Sequence, residues 1–250
     1  MKIVILYSGG LDSFLMKKYA EKNYPNADVK CIYYAHGADS EEVEIDRLPE
    51  YVEIRTIDWL SPTGIRPVSK KSDPFASAIY IPGRNLVFAA LAASQELPDE
   101  VWMGTLFDED NEQATDKNEK FRAMTSEVLS YVLSPFINGC KVRFPFVEEK
   151  MSKVDTVKWA IETFGKAIIP ELKETTSCWH NDGVPCGECK QCVKRFLVMK
   201  LNGIDEVYKV DPSTSKFAND LMDSYLKCEN PNQDEQVMID MISKYRYSIR

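Results

Sequence analysis

Residues 2–13 read Lys2-Ile3-Val4-Ile5-Leu6-Tyr7-Ser8-Gly9-Gly10-Leu11-Asp12-Ser13. The apolar run Ile3–Leu6, stopped by a glycine pair, reads as a buried strand. Gly9 and Gly10 permit backbone angles closed to other residues and let a ligand approach the main chain. Leu11–Asn23 then reads as a helix, whose first turn points unpaired N–H groups and a positive dipole end back at the turn. Ser8 and Ser13 add hydroxyl donors, so the stretch forms a cradle for a phosphate or pyrophosphate. It is not the GxxxxGK[ST] loop, because no lysine follows the second glycine. The plain structural alternative is a glycine turn capped by Asp12. The complete string Ser8–Ser13, directly behind a strand, is more specific than that.

Outward from this turn, further strands are predicted at Val29–Tyr34, Tyr51–Ile57 and Glu100–Gly104, with a short one at Lys141–Phe144. Helices are predicted at Asn85–Gln95, Lys117–Leu133 and Lys153–Phe164. Alternation of this kind implies an α/β fold, a Rossmann-like parallel sheet with helices on both faces. Ligands in such sheets bind at the carboxyl ends of the strands, where strand order reverses. Asp58–Ala78, with three prolines and the basic Arg66, Lys70 and Lys71, reads as a long loop, of a length usually functional or mobile. The acidic run Asp39–Asp46 reads as a solvated helical face. Beyond about residue 166 the pattern turns to a cysteine-rich insert and polar helices at Ser213–Cys228 and Asp234–Tyr245. The expected organisation is a nucleotide-binding domain over 1–165 and a small helical metal-binding subdomain over 166–250.

Composition limits the partners. A net charge of −8 argues against a surface built for polynucleotides. The longest helical apolar stretch, Leu86–Leu91, is far shorter than the roughly 20 residues a membrane span needs. No signal peptide is visible, and seven cysteines are an odd count, which disfavours a disulfide scaffold and points to a reducing cytoplasm.

Four of the seven cysteines, Cys178, Cys186, Cys189 and Cys192, share one window. The last three are separated by two residues each, and Gly187 eases the turn between them. Thiolates so spaced wrap a tetrahedral Zn²⁺. His180 is an alternative ligand, and a [4Fe–4S] cluster uses the same ligand type. Zinc is preferred because a closed four-thiolate site has no evident electron-transfer role here. Cys31, Cys140 and Cys228 read as buried small hydrophobes.

The Ser8–Ser13 string resembles the SGGxDS loop of the N-type ATP pyrophosphatases, which cleave ATP to AMP and pyrophosphate. Ile81-Pro82-Gly83-Arg84-Asn85 resembles the PGRN element of the QueC family, the 7-cyano-7-deazaguanine synthases. That family also carries a Cys-x8-Cys-x2-Cys-x2-Cys zinc site, here one residue shorter in its first spacing. Phe146–Val154 is similar to the family's Pro-Leu…Lys stretch and puts Lys153 on its lysine, and Arg195 matches its arginine. The resemblance spans roughly residues 1–200 in four ordered blocks.

The resemblance implies an enzyme that uses ATP, Mg²⁺ and ammonia to turn 7-carboxy-7-deazaguanine into its nitrile. Ser8, Gly9, Gly10, Leu11 and Ser13 would cradle the pyrophosphate, and Asp12 would orient the loop or hold Mg²⁺. Lys153 would neutralise phosphate charge, and Arg84 would bind a carboxylate or phosphate with its planar fork. Asn85, Asp116 and Arg195 complete the expected substrate contacts, with Asp116 accepting two neighbouring N–H groups of the deazaguanine. The plain readings are a helix N-cap for Asn85, a helix start for Asp116 and an exposed loop position for Arg84. The expected partners are small molecules, not nucleic acid or membrane, with a homodimer left open. Two stretches depart from the family. Ala35-His36-Gly37-Ala38 stands where it has Asp-Tyr-Gly-Gln, and Ala114-Thr115-Asp116-Lys117-Asn118 keeps only the aspartate of its Tyr-Pro-Asp-Cys-Arg.

Overall fold

Five strands, β1 (Lys2–Leu6), β2 (Asp28–Ala35), β3 (Val52–Thr56), β4 (Glu100–Trp102) and β5 (Lys141–Arg143), form one sheet in the order β3-β2-β1-β4-β5. Every pairing is parallel, with Ile5 opposite Cys31 on one side and Trp102 on the other. The computed structural model describes residues 1–37, 41–57, 83–110, 114–178 and 184–248. The expected loop over 58–78, Ile81, Pro82, His180 and the start of the acidic run lie outside these residues.

The chain divides into two compact units, Met1–Lys150 and Met151–Arg250. The division falls at 150/151 rather than at the expected 165/166, because the helix over 153–164 packs within the second unit.

In the first unit the strands alternate with α1 (Leu11–Asn23), α2 (Glu41–Ile45), α3 (Arg84–Glu96), α4 (Glu119–Leu133) and α5 (Pro145–Glu148). β1 is central, so Ile3, Val4 and Ile5 are fully buried and the strand reads as an unbroken apolar run. β3 lies at an edge, where the charges of Glu53 and Arg55 discourage edge pairing.

On one face Val4, Ile32, Val101 and Val142 pack with Ala89, Ala92 and Ala93 of α3 and Leu129 and Leu133 of α4. The three alanines let α3 lie close to the sheet. On the other face Tyr19 of α1 meets Trp102 and Phe146, with ring centroids 6.2 and 5.9 Å away.

A charge clamp fixes α3 along its axis. Glu96, in its last turn, pairs with Lys2 of β1 and Lys30 of β2, each at 2.9 Å, and with Arg55 of β3. Burial pushes the Glu96 carboxyl up, but the bonds from Arg55, Lys2 and Lys30 outweigh it and hold it down at about 2. Anchored at this end, α3 presents its first turn, Arg84 and Asn85, at the carboxyl edge of the sheet.

The second unit holds α6 (Lys153–Phe164), α7 (Ile169–Glu174), α8 (Lys190–Leu201), α9 (Lys216–Leu226) and α10 (Gln233–Ser248). A capping box between Ser152 and Asp155 starts α6 where the sequence predicts it. α8 is the buried centre, with Val193, Phe196, Leu197, Val198 and Met199 all inside. The sequence reading missed this helix. Its N-cap is Cys189, whose sulfur accepts from the Cys192 N–H, so the cysteine motif obscured the helix start.

No helix among the described residues is long and apolar enough to cross a membrane. Cys31 and Cys140 are buried, with thiols pushed up by that burial to about 12 and about 11. Cys228 departs from expectation: it is only half-buried, with its sulfur 3.9 Å from Glu235 Oε2.

Candidate active site and metal centre

The order reversal lies between β1 and β4, and the glycine turn leaves β1 at that point. Gly9 takes a φ of 74°, in the left-handed region that glycine tolerates. Gly10 is the N-cap of α1 and no side chain caps it, so the Asp12-capped alternative is not what forms. The positive end of the α1 dipole therefore faces the turn with no N-cap side chain across it.

Ser13 is buried and braces the turn. Its Oγ donates to the Gly10 carbonyl at 2.9 Å and accepts from the Ser8 N–H at 3.3 Å. Ser8 is exposed at the rim, with its Oγ 3.5 Å from that of Ser13. Leu11 is buried beneath the turn, and one carboxylate oxygen of Asp12 is shielded from solvent.

Gly104, just beyond β4, belongs to the same cradle. A Cβ there would stand 3.5 Å from Asp12 Cβ and 3.8 Å from the Ser13 nitrogen, over the helix N-terminus. Sequence reasoning missed this role; the available signal was a glycine directly behind a strand at the carboxyl edge.

A second wall forms at the start of α3. Asn85 Nδ2 donates to the Asp116 main-chain carbonyl and to its Oδ2, both at 3.1 Å. Neither residue caps a helix. Gly83, at φ 72°, precedes α3, and Asn118 caps α4 by accepting from the Phe121 N–H at 2.9 Å. α4 consequently starts at Glu119, two residues after the predicted Lys117. Arg84 is half-buried and makes no ion pair among the described residues.

The turn after β2 adjoins this wall. Glu41 accepts from the His36 N–H and from the Gly37 N–H at 3.1 Å, while Glu44 accepts from Tyr33 Oη at 2.8 Å. These two members of the acidic run are thus internal ties, not a solvated face. Burial drives the Tyr33 hydroxyl pKa upward, and the Glu44 charge adds to it.

Two expected site residues lie in the second unit. Lys153 is the first residue of α6 and half-buried. Arg195 is placed differently from its expected substrate role. It is 4% exposed, and its guanidinium donates to Glu206 at 2.6–3.0 Å, to Thr175 O and Oγ1, to Ser177 Oγ and to Leu172 O. Those protein partners engage all three of its nitrogens, so it holds the cysteine-bearing segment to α7 and α8.

The sulfurs of Cys178, Cys186, Cys189 and Cys192 lie within 4.8 Å of one another, and those of Cys186 and Cys192 are 3.8 Å apart. They could hold a metal ion. Main-chain N–H groups of Cys186, Glu188 and Cys192 point at sulfurs from 3.4 Å, the support that thiolate ligands need. Gly187 takes a φ of 80°, and a Cβ there would strike the Val210 carbonyl oxygen at 1.8 Å. That carbonyl belongs to a segment whose N–H groups bond back to Pro185 and Cys186.

Residues 2–202 match the family model of the queuosine biosynthesis protein QueC. The chain belongs to the QueC family. It is similar to the 7-cyano-7-deazaguanine synthase of Pyrococcus furiosus, 28% identical over 249 residues, covering 84% of this chain and 98% of that one. Similar synthases come from Nitratiruptor sp., 24% identical over 215 residues (78% and 92% covered), and Methanosarcina barkeri, 26% over 231 (82% and 96%). Among solved structures, the U34-tRNA thiolase NcsA from Methanococcus maripaludis, with its [4Fe-4S] cluster, aligns at TM-score 0.40 and 15% identity. It covers 99% of this chain and 72% of that one, and so loose a superposition carries no argument about the site.

Proposed function

We propose that this QueC-family chain is a 7-cyano-7-deazaguanine synthase, driven by ATP and releasing AMP and pyrophosphate. The carrying observation is the glycine turn: an uncapped helix N-terminus, braced by Ser13, at the point where strand order reverses. Family membership and the names of the similar synthases support the choice of acceptor.

In this reading the carboxylate oxygen of 7-carboxy-7-deazaguanine attacks the α-phosphorus of ATP, and the bond to pyrophosphate breaks. Ammonia then attacks the acyl carbon, AMP leaves with the oxygen, and an amide results. A second ATP adenylates the amide oxygen. Loss of AMP and of the remaining N–H proton gives the nitrile. The enzyme must bind pyrophosphate twice as a leaving group, which the amides of the first turn of α1 and the hydroxyl of Ser8 suit, while Ser13 spends its proton on the Gly10 carbonyl and braces the turn. A single aspartate beside a polyphosphate is the donor set Mg²⁺ prefers, so Asp12 would hold that ion, which adds positive charge where pyrophosphate departs. Asp116, fixed by Asn85, would accept N–H groups of the deazaguanine, and Arg84 would face its carboxylate.

Zn²⁺ is the metal proposed for the four cysteines. Its tetrahedral shell needs sulfurs converging on a single ion at about 2.3 Å, which implies neighbouring sulfurs close together. A [4Fe–4S] cluster binds each sulfur to a different iron and spreads them wider. The ion's contribution would be folding free energy for the second unit. The test of the function is incubation of the protein with 7-carboxy-7-deazaguanine, ATP, Mg²⁺ and ammonium. The nitrile, AMP and pyrophosphate support it; turnover to ADP and phosphate rejects it.

A further inference from the structure

We propose that His36 reads an N–H group of a purine-type base through its Nε2 lone pair. The residue is 6% exposed, and Nε2 is shielded from solvent with no hydrogen-bond partner among the described residues. A buried polar atom without a partner is costly, so a protein that keeps one calls for an explanation.

The protonation pattern follows from the other ring nitrogen. Nδ1 lies 2.9 Å from the Tyr34 carbonyl oxygen, which can only accept. Nδ1 therefore carries the proton, and in the neutral ring Nε2 is an acceptor. Glu41 Oε1 is 3.6 Å from Nδ1, too far to replace that bond. The ring is held rather than loose: Glu41 ties the main-chain N–H groups of His36 and Gly37, and Phe88 of α3 meets the imidazole edge-on at 5.3 Å. Phe88 also stacks on Tyr34 at 5.2 Å, so the acceptor sits in an aromatic setting at the carboxyl edge, one helical turn from Arg84 and Asn85. Such a site suits a flat heterocycle offering an N–H, and disfavours a phosphate or carboxylate, which offers only acceptors.

Two bases carry that chemistry, the adenine of ATP and the deazaguanine acceptor, and the assignment to either rests on the function proposed above. Direct binding of ATP and of 7-carboxy-7-deazaguanine, measured separately, distinguishes them. His36→Asn keeps a donor for the Tyr34 carbonyl but has nothing at the Nε2 position, whereas His36→Gln extends an amide to that position. The expected result is a loss of about tenfold in affinity for one of the two ligands in His36→Asn, the size of one hydrogen bond, largely restored in His36→Gln. Loss for ATP alone assigns adenine; loss for the deazaguanine alone assigns the acceptor.

The proposal is overturned if His36→Asn binds both ligands like the wild type, or if His36→Gln falls as far as His36→Asn. If the wild type binds neither ligand, the function falls but His36 is still tested. Its ¹⁵N Nε2 resonance should then move with a free purine carrying an N–H and stay put with the N-methylated counterpart. No shift with any base overturns the proposal.

Discussion

Asn85 holds Asp116 from thirty-one positions away, with Nδ2 bonded at 3.1 Å to both its main-chain oxygen and its carboxylate. One contact joins the first turn of α3 to the segment before α4, fixing a carboxylate at the carboxyl edge. Asp116→Asn is predicted to raise KM for the deazaguanine roughly tenfold or more, the scale of a charge-assisted bond, with ATP affinity unchanged. Asn85→Ala should do the same more weakly, by releasing the carboxylate. Steady-state KM values for both substrates check this, and an equal change in ATP KM would contradict it.

The Glu96 clamp predicts a pH dependence. The Glu96 carboxyl is held below its ordinary 4.5, at about 2, so the clamp's contribution is complete above about 4.5 and lost as pH falls toward 2. The urea midpoint of Glu96→Gln should therefore lie below that of the wild type at pH 7, and the gap should narrow at pH 3. A gap independent of pH would show that the charge on Glu96 does not stabilise the fold.

Metal analysis should find about one zinc per chain. Gly187→Ala should lower both metal content and stability, because its Cβ meets the Val210 carbonyl oxygen and its backbone is left-handed. Cys189→Ser should unfold the second unit before it alters chemistry. Iron with bound sulfide in the purified protein, or a stable and active metal-free protein, would refute the zinc assignment.

Arg195→Met should cost stability rather than substrate affinity. Removing one partner of a buried ion pair typically costs about 3–5 kcal/mol, because the other charge is left buried. Glu206→Gln should show a similar loss in urea unfolding. A stable Arg195→Met protein with a raised KM would restore the substrate role.

The sheet was legible because its central strands announce themselves: Ile3–Leu6 is buried on both faces, and glycines or acidic turns bound its neighbours. α1 and α6 were legible to the residue; a glycine stop precedes the first, and the structure places a Ser152–Asp155 capping box at the start of the second. The Ser8–Ser13 turn and the clustering of the four cysteines were also readable, because their members are neighbours in sequence. What sequence could not show were pairings between distant residues. Glu41 looked like one acid in a charged run until it met the amides of His36 and Gly37. Arg195 looked like a substrate arginine until Glu206 and Thr175 enclosed it. The surroundings of Gly104 and His36 are likewise set by distant residues, and only Gly104, a glycine directly behind a strand, left a sign of it in the chain.

The claim on which the rest depends is that the glycine turn supports adenylation of a deazaguanine carboxylate. The direct measurement is mass spectrometry of products from 7-carboxy-7-deazaguanine, ATP, Mg²⁺ and ¹⁵N-ammonium, run in parallel for the wild type and Asp12→Ala. The account predicts ¹⁵N-labelled nitrile with AMP and pyrophosphate from the wild type, and no product from a folded Asp12→Ala protein. Unlabelled product, ADP as the nucleotide released, or full activity in Asp12→Ala would contradict it.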